Sequence, residues 1–79
     1  MIFQIKHGGQ VYFSKTEEET VEKLKSIGFT PSEIPDGVTG AIKSADGILH
    51  AEVTVLDDDA ADQKAKSNEK LKLILMEND

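Results

Sequence analysis

Val38–Leu56 reads VTGAIKSADGILHAEVTVL, two apolar-rich runs on either side of Ser44-Ala45-Asp46-Gly47. This stretch decides the fold. Asp-Gly between alternating runs is the dipeptide of a tight type I′ turn, in which both central residues take φ > 0. With Asp46 and Gly47 as the loop, Ala45 faces Ile48, Lys43 faces His50, Ile42 faces Ala51 and Gly40 faces Val53. The side-chain alternation agrees with that pairing. Val38, Ile42, Leu49, Ala51, Val53 and Val55 fall on one face; Thr39, Lys43, His50, Glu52 and Thr54 fall on the other. A slip of one residue would mix the two sets, so pattern and turn support one register.

Upstream, Ile2–Lys6 and Val11–Ser14 read as two more strands around His7-Gly8-Gly9-Gln10. A two-residue Gly8-Gly9 loop places Phe3 and Ile5 opposite Ser14 and Tyr12. A three-residue loop places Phe3 opposite Phe13 and Ile5 opposite Val11, gathering four large apolar side chains on one face. The second register is preferred, with Gly9 as the left-handed residue of a bulged loop. Thr16-Glu17-Glu18-Glu19 is a capping box, and the three acids suit the positive end of a helix. Val21, Leu24 and Ile27 continue at helical spacing to Gly28 as C-terminal cap, with Phe29 folding back onto the helix. Pro31 and Pro35 make residues 30–37 a loop containing at most one helical turn.

After Leu56 the chain reads DDDAADQKAKSNEKLKLILMEND. An Asp cap followed by strong helix formers predicts a helix over 58–76, with Asp62 and Lys66 as an i,i+4 pair. Lys70–Met76 also alternates as a strand would, with Leu71, Leu73 and Leu75 on one side. As a helix, Leu71, Ile74 and Leu75 form the buried stripe and leave Leu73 and Met76 partly exposed. The expected fold is therefore α+β, order ββαββα: two antiparallel hairpins in one sheet with a helix over its apolar face. Residues 1–56 form a small α+β domain; 57–79 form a C-terminal helix packed on it or used as an interface. The expected core is Phe3, Ile5, Val11, Phe13, Val21, Leu24, Ile27, Ile42, Leu49, Ala51, Val53 and Val55.

Composition narrows the function. Seventy-nine residues suffice for one small domain. Without Cys there is no disulfide and no thiolate chemistry. The net charge of −6, with 9 Lys and Arg against 15 Asp and Glu, argues against direct nucleic-acid binding, which needs a basic footprint. No apolar run is long enough to span a bilayer, and MIFQIKHGG lacks the pattern of a signal peptide. A soluble cytoplasmic protein is the expectation.

No catalytic motif emerges. Asp57-Asp58-Asp59 and Asp62 fail the EF-hand pattern at Ala61, Asp62 and Asn68, and serve a helix N-terminus instead. His7 and His50 lack companion ligands at metal-binding spacing and read as surface residues. Ser14, Ser32, Ser44 and Ser67 sit in turn, loop or helix contexts without a Gly-x-Ser-x-Gly elbow. Gly8-Gly9 is too short to cradle phosphate and lacks a following Lys-Ser/Thr. No cofactor is expected.

IPDGVTGAIKSADGILHAEV, followed by a Lys- and Glu-rich tail, resembles the short accessory proteins of phage and prophage tail or morphogenesis modules. The resemblance spans Ile34–Asp79 and implies a small β-rich domain joined to a helical C-terminus, without enzymatic activity. The expected function is a non-catalytic structural or protein-interaction module that binds a protein partner or itself, and not an enzyme. Its expected contact surface is Leu71, Ile74, Leu75 and Met76. The alternative is an acidic inhibitor that mimics nucleic acid toward a basic protein, although Lys64, Lys66, Lys70 and Lys72 interrupt the tail's negative charge.

Overall fold

In a computed structural model, which describes residues 1–76, four strands form one antiparallel sheet: β1 (Ile2–His7), β2 (Gln10–Ser14), β3 (Gly40–Lys43) and β4 (His50–Leu56). Their order across the sheet is β2-β1-β4-β3, so the two hairpins join through β1 and β4. Helix α1 (Glu17–Ile27) and a 3-10 turn (Pro31–Glu33) lie between the hairpins; α2 (Asp58–Ala65) and α3 (Glu69–Met76) follow β4. The α+β class holds. The element order is ββα, the 3-10 turn, then ββαα, and not ββαββα.

The second hairpin has the register read from its sequence, Lys43↔His50 through Gly40↔Val53. Its turn is wider than the two-residue I′ loop expected. Gly47 takes φ 75° while Asp46 does not take positive φ, and the Gly47 N–H bonds back to the Ser44 carbonyl at 3.0 Å. Side chains explain the change. The Ser44 hydroxyl donates to the Asp46 carboxylate and accepts the Leu49 N–H, while Asp46 accepts the Ile48 N–H. Two short polar side chains thus satisfy backbone groups that the tighter loop would have paired directly.

The first hairpin departs from expectation by one residue. Phe3 faces Ser14, Ile5 faces Tyr12 and His7 faces Gln10, which is the Gly8-Gly9 register. Gly8, at φ 60°, is the left-handed residue and Gly9 is not, as in a II′ turn. The preference for the other register assumed one apolar sheet face. The sheet has two. On the first, α1 covers Phe3, Ile5, Ile42, Ala51 and Val53 together with Leu24, Phe29 and Val38. On the second, Ile2 and Phe13 pack with Ala61 of α2 and Leu71 of α3, flanked by Val11, Leu56, Ile74 and Leu75. Burying one such side chain is worth about 1.5–3 kcal/mol, above the roughly 0.2–1 kcal/mol of a favourable cross-strand pair. Cover on both faces therefore favours the register that divides the apolar residues between them.

The tail folds back to provide this cover by breaking in two. Asp57 caps α2, accepting the Ala60 N–H at 2.7 Å. After a turn at Lys66–Asn68, the Asn68 side chain caps α3 by accepting the Leu71 N–H at 3.2 Å. A single helix over 58–76 would run about 28 Å, well beyond the roughly 20 Å of the six-residue β1. The break keeps Ala61 and Leu71 over the same face. Lys70–Met76 is helix and not strand. Residues 77–79, the end of the expected C-terminal segment, lie outside the described residues.

The core differs from expectation at its margins, and Val11, Val21, Ile27 and Leu49 are only half-buried. Val55 is 41% exposed at the end of β4, while Ile2, Phe29, Val38, Ala61 and Leu71 are buried. Val38 is also a β-branched residue at φ 47°, held between a Val38 N–H bond to Pro35 O and a Thr39 N–H bond to Gly37 O. Its burial at 1% exposure offsets the backbone strain.

Candidate protein interface

The path from β2 into α1 builds a concavity. Ser14 is buried at the end of β2, and its hydroxyl donates to Thr20, whose own hydroxyl donates to the Thr16 carbonyl at 2.9 Å. This relay ties the first turn of α1 to the strand. The Thr16 hydroxyl accepts the Glu19 N–H at 3.1 Å, so the helix starts where the capping pattern predicts. With α1 anchored there, Phe13, Ser14 and Val21 line a groove of about 1360 Å³ beside Glu17, Glu18, Glu19, Glu22 and Lys23. All four glutamates are exposed. Lys23 lies 5.4 Å from the centre of the Tyr12 ring, and Lys25 pairs with Glu22 at 3.7 Å.

A smaller depression of about 490 Å³ lies on the second sheet face beyond the reach of α2 and α3. Lys6, Ala41, Lys43, His50 and Glu52 line it, and all are exposed. His7 donates from Nδ1 to the His50 carbonyl at 2.9 Å, so it links the two hairpins at that end. Among the described residues, no group of three or more His, Cys, Asp or Glu could hold a metal ion.

Among the described residues, three carboxylates carry lowered pKa values, each from local bonds. Glu33 accepts the Ala45 N–H at 2.6 Å and the Thr30 N–H at 2.7 Å, joining the 3-10 turn to the hairpin turn, and these bonds hold its carboxyl below the usual range. Asp46 is lowered by the Ser44 hydroxyl and the Ile48 N–H. Asp58 is lowered by the N-terminal ammonium at 2.8 Å. All three are explained as fold contacts.

The four tail residues read as a contact surface are not equivalent. Leu71 is fully buried against the sheet, and Ile74 and Leu75 are half-buried in the same cluster. Met76, 65% exposed, and Leu73, 58% exposed, are what α3 leaves to solvent. The serines have local partners: Ser14 with Thr20, Ser32 with Thr30, Ser44 in its turn, and Ser67 on the Lys64 carbonyl. Asp57, Asp58, Asp59 and Asp62 are exposed along the start of α2.

Sequence reasoning missed the groove because its walls come from different elements. Only the strand order places β2 at an edge. Among the described residues, no helix is long and apolar enough to cross a membrane. Comparison of the chain with family models, curated proteins and solved structures gives no match.

Proposed function

We propose that the chain is a non-catalytic protein-interaction module whose working surface is the acidic groove between β2 and α1. The observation that carries this reading is the groove itself: a wide concavity with Phe13 and Val21 among its lining, rimmed by four exposed glutamates. A net charge of −6 draws basic partners toward such a surface. The textural resemblance of residues 34–79 to phage and prophage accessory proteins supports a role in assembly, in the cytoplasm.

The test is cross-linking and recovery of the tagged full-length chain from its own host, beside a Glu18→Lys/Glu22→Lys variant of equal melting temperature. One partner recovered with the first and lost with the second supports the reading. No specific partner with either form, and no self-association, overturns it.

A second reading, an acidic mimic of nucleic acid, draws on one observation. β2 and β4 both end opposite the start of β1, so α1 and α2 begin at the same end of the sheet. Glu17, Glu18 and Glu19 therefore share that end with Asp57, Asp58 and Asp59. Salt-sensitive competition with DNA for the recovered partner would favour this reading over the first.

A further inference from the structure

We infer that the occupant of the groove is an extended, lysine- or arginine-bearing segment of a protein partner, docked as an added strand on the free edge of β2. The inference deepens the interaction reading above and rests on it.

The argument begins with the parity of the sheet. Along an antiparallel ladder, pairs that exchange both backbone bonds alternate with pairs that exchange none. The Ser44 N–H bonds to the Leu49 carbonyl, so Ile42↔Ala51 and Gly40↔Val53 are bonded pairs in the same register. β4 must then turn the backbone of Glu52, Thr54 and Leu56 toward Lys6, Gln4 and Ile2 of β1. β1 in turn offers Phe3, Ile5 and His7 to Ser14, Tyr12 and Gln10 of β2. The Gly8-Gly9 loop gives the same parity, because the pair closing a two-residue loop is a bonded one. Val11 and Phe13 are left over. Their N–H and C=O groups point away from the sheet along its edge, where an incoming strand would bond.

Phe13 also lines the groove, whose other wall is α1. α1 packs on the sheet face that carries Tyr12. Alternate side chains of an added strand would project to that face, about 6.6–7 Å apart. Glu18 and Glu22, one helical turn apart, are separated by about 6 Å along α1. The two spacings agree, so cations at every second position of the segment would meet Glu18 and Glu22. The existing Glu22–Lys25 pair is exposed on both sides, and such a pair is weak enough to exchange. Intervening residues would face the side of Val11 and Phe13, which suits apolar side chains. The occupant is thus a strand of alternating cationic and apolar residues.

The probe is a seven-residue acetylated and amidated peptide alternating Lys and Val, titrated into the ¹⁵N-labelled full-length chain. The control alternates Glu and Val. Saturable shifts along β2 and α1, with slowed amide exchange at Val11 and Phe13, are expected for the Lys peptide alone. Glu18→Gln and Glu22→Gln, both at exposed positions, should each raise Kd roughly threefold. Equal binding of the Glu peptide, shifts confined to Lys6, Lys43 and His50, or no protection at Val11 and Phe13 would overturn the proposal. If the peptide fails while a host partner is captured by the native chain and lost with the Glu18→Lys/Glu22→Lys variant, the groove reading survives and the added strand does not; equal capture by the variant overturns both.

Discussion

The two hairpins are built from the same parts and yield differently to reading. β3–β4 lies under α1 on one face and opens to solvent on the other at Ala41, Lys43, His50 and Glu52. Its residues therefore alternate in polarity, and the alternation fixes the register. β1–β2 is covered by α1 on one face and by α2 and α3 on the other. Its large apolar residues point both ways, Phe3 and Ile5 toward α1 and Ile2 and Phe13 toward α2 and α3, so alternation does not single out one register there. What distinguishes the hairpins is the number of faces that water reaches.

The strongest way to break this comparison is to strip the second cover. Leu71→Ala leaves a cavity between α3 and the sheet, and the expected loss is about 2–5 kcal/mol by urea denaturation. A loss below about 1 kcal/mol would mean that α3 does not seal the first hairpin. The same substitution should leave the β3–β4 turn unchanged by amide chemical shifts.

A second test uses a flaw on that covered face. Gln4 is 4% exposed and its side-chain oxygen has no hydrogen-bond partner. Gln4→Met keeps the volume and removes the orphaned acceptor, so a gain of about 1 kcal/mol is expected in thermal unfolding. A comparable loss would mean that the amide is satisfied in solution and that this face is wetter than described.

The register itself can be tested at the loop. Gly8 sits at φ 60° and Gly9 does not have positive φ. Gly8→Ala should cost about 1–2 kcal/mol and Gly9→Ala almost nothing. The reverse ranking would restore the three-residue loop and the pairing of Phe3 with Phe13.

The smallest expected effect concerns the second hairpin and pH. The Glu33 carboxyl is held below its ordinary value of 4.5 by the Ala45 and Thr30 N–H groups. A group depressed in the folded state adds stability above its unfolded pKa and loses it as pH falls through the folded value. Melting temperature should therefore drop more steeply below about pH 4.5 in the native chain than in Glu33→Gln. Parallel curves would show that the bridge from Glu33 to the hairpin turn does not form in solution.

What sequence could supply follows from which physical rule is local. The cap at Thr16, the Gly28 terminus and the apolar spacing of Val21, Leu24 and Ile27 are each read within one helix. The structure has α1 at those residues. The buried stripe of α3 is equally local, since Leu71, Ile74 and Leu75 share a face by helical geometry alone. The pairing of Lys43 with His50 also follows locally, because it needs only a turn and one wetted face. Asn68 is a strong capping residue, yet its sequence context allows the helix to run on. The break there is decided by the sheet, which is too short for one long helix.

The rest depended on tertiary structure. The first hairpin's register, the burial of Ile2 and Phe13, and the division of the tail all have one cause: α2 and α3 return over the second face of the sheet. That packing joins residues more than 40 positions apart, and no periodicity within either segment encodes it. The groove is of the same kind. Phe13 and Glu18 are ordinary residues of a strand and a helix, and they form a candidate interface only because β2 lies at the sheet's edge with α1 beside it. Capping and turn chemistry act between neighbours, so a sequence displays them. Burial and edges are properties of assembled layers, and only the folded chain decides them.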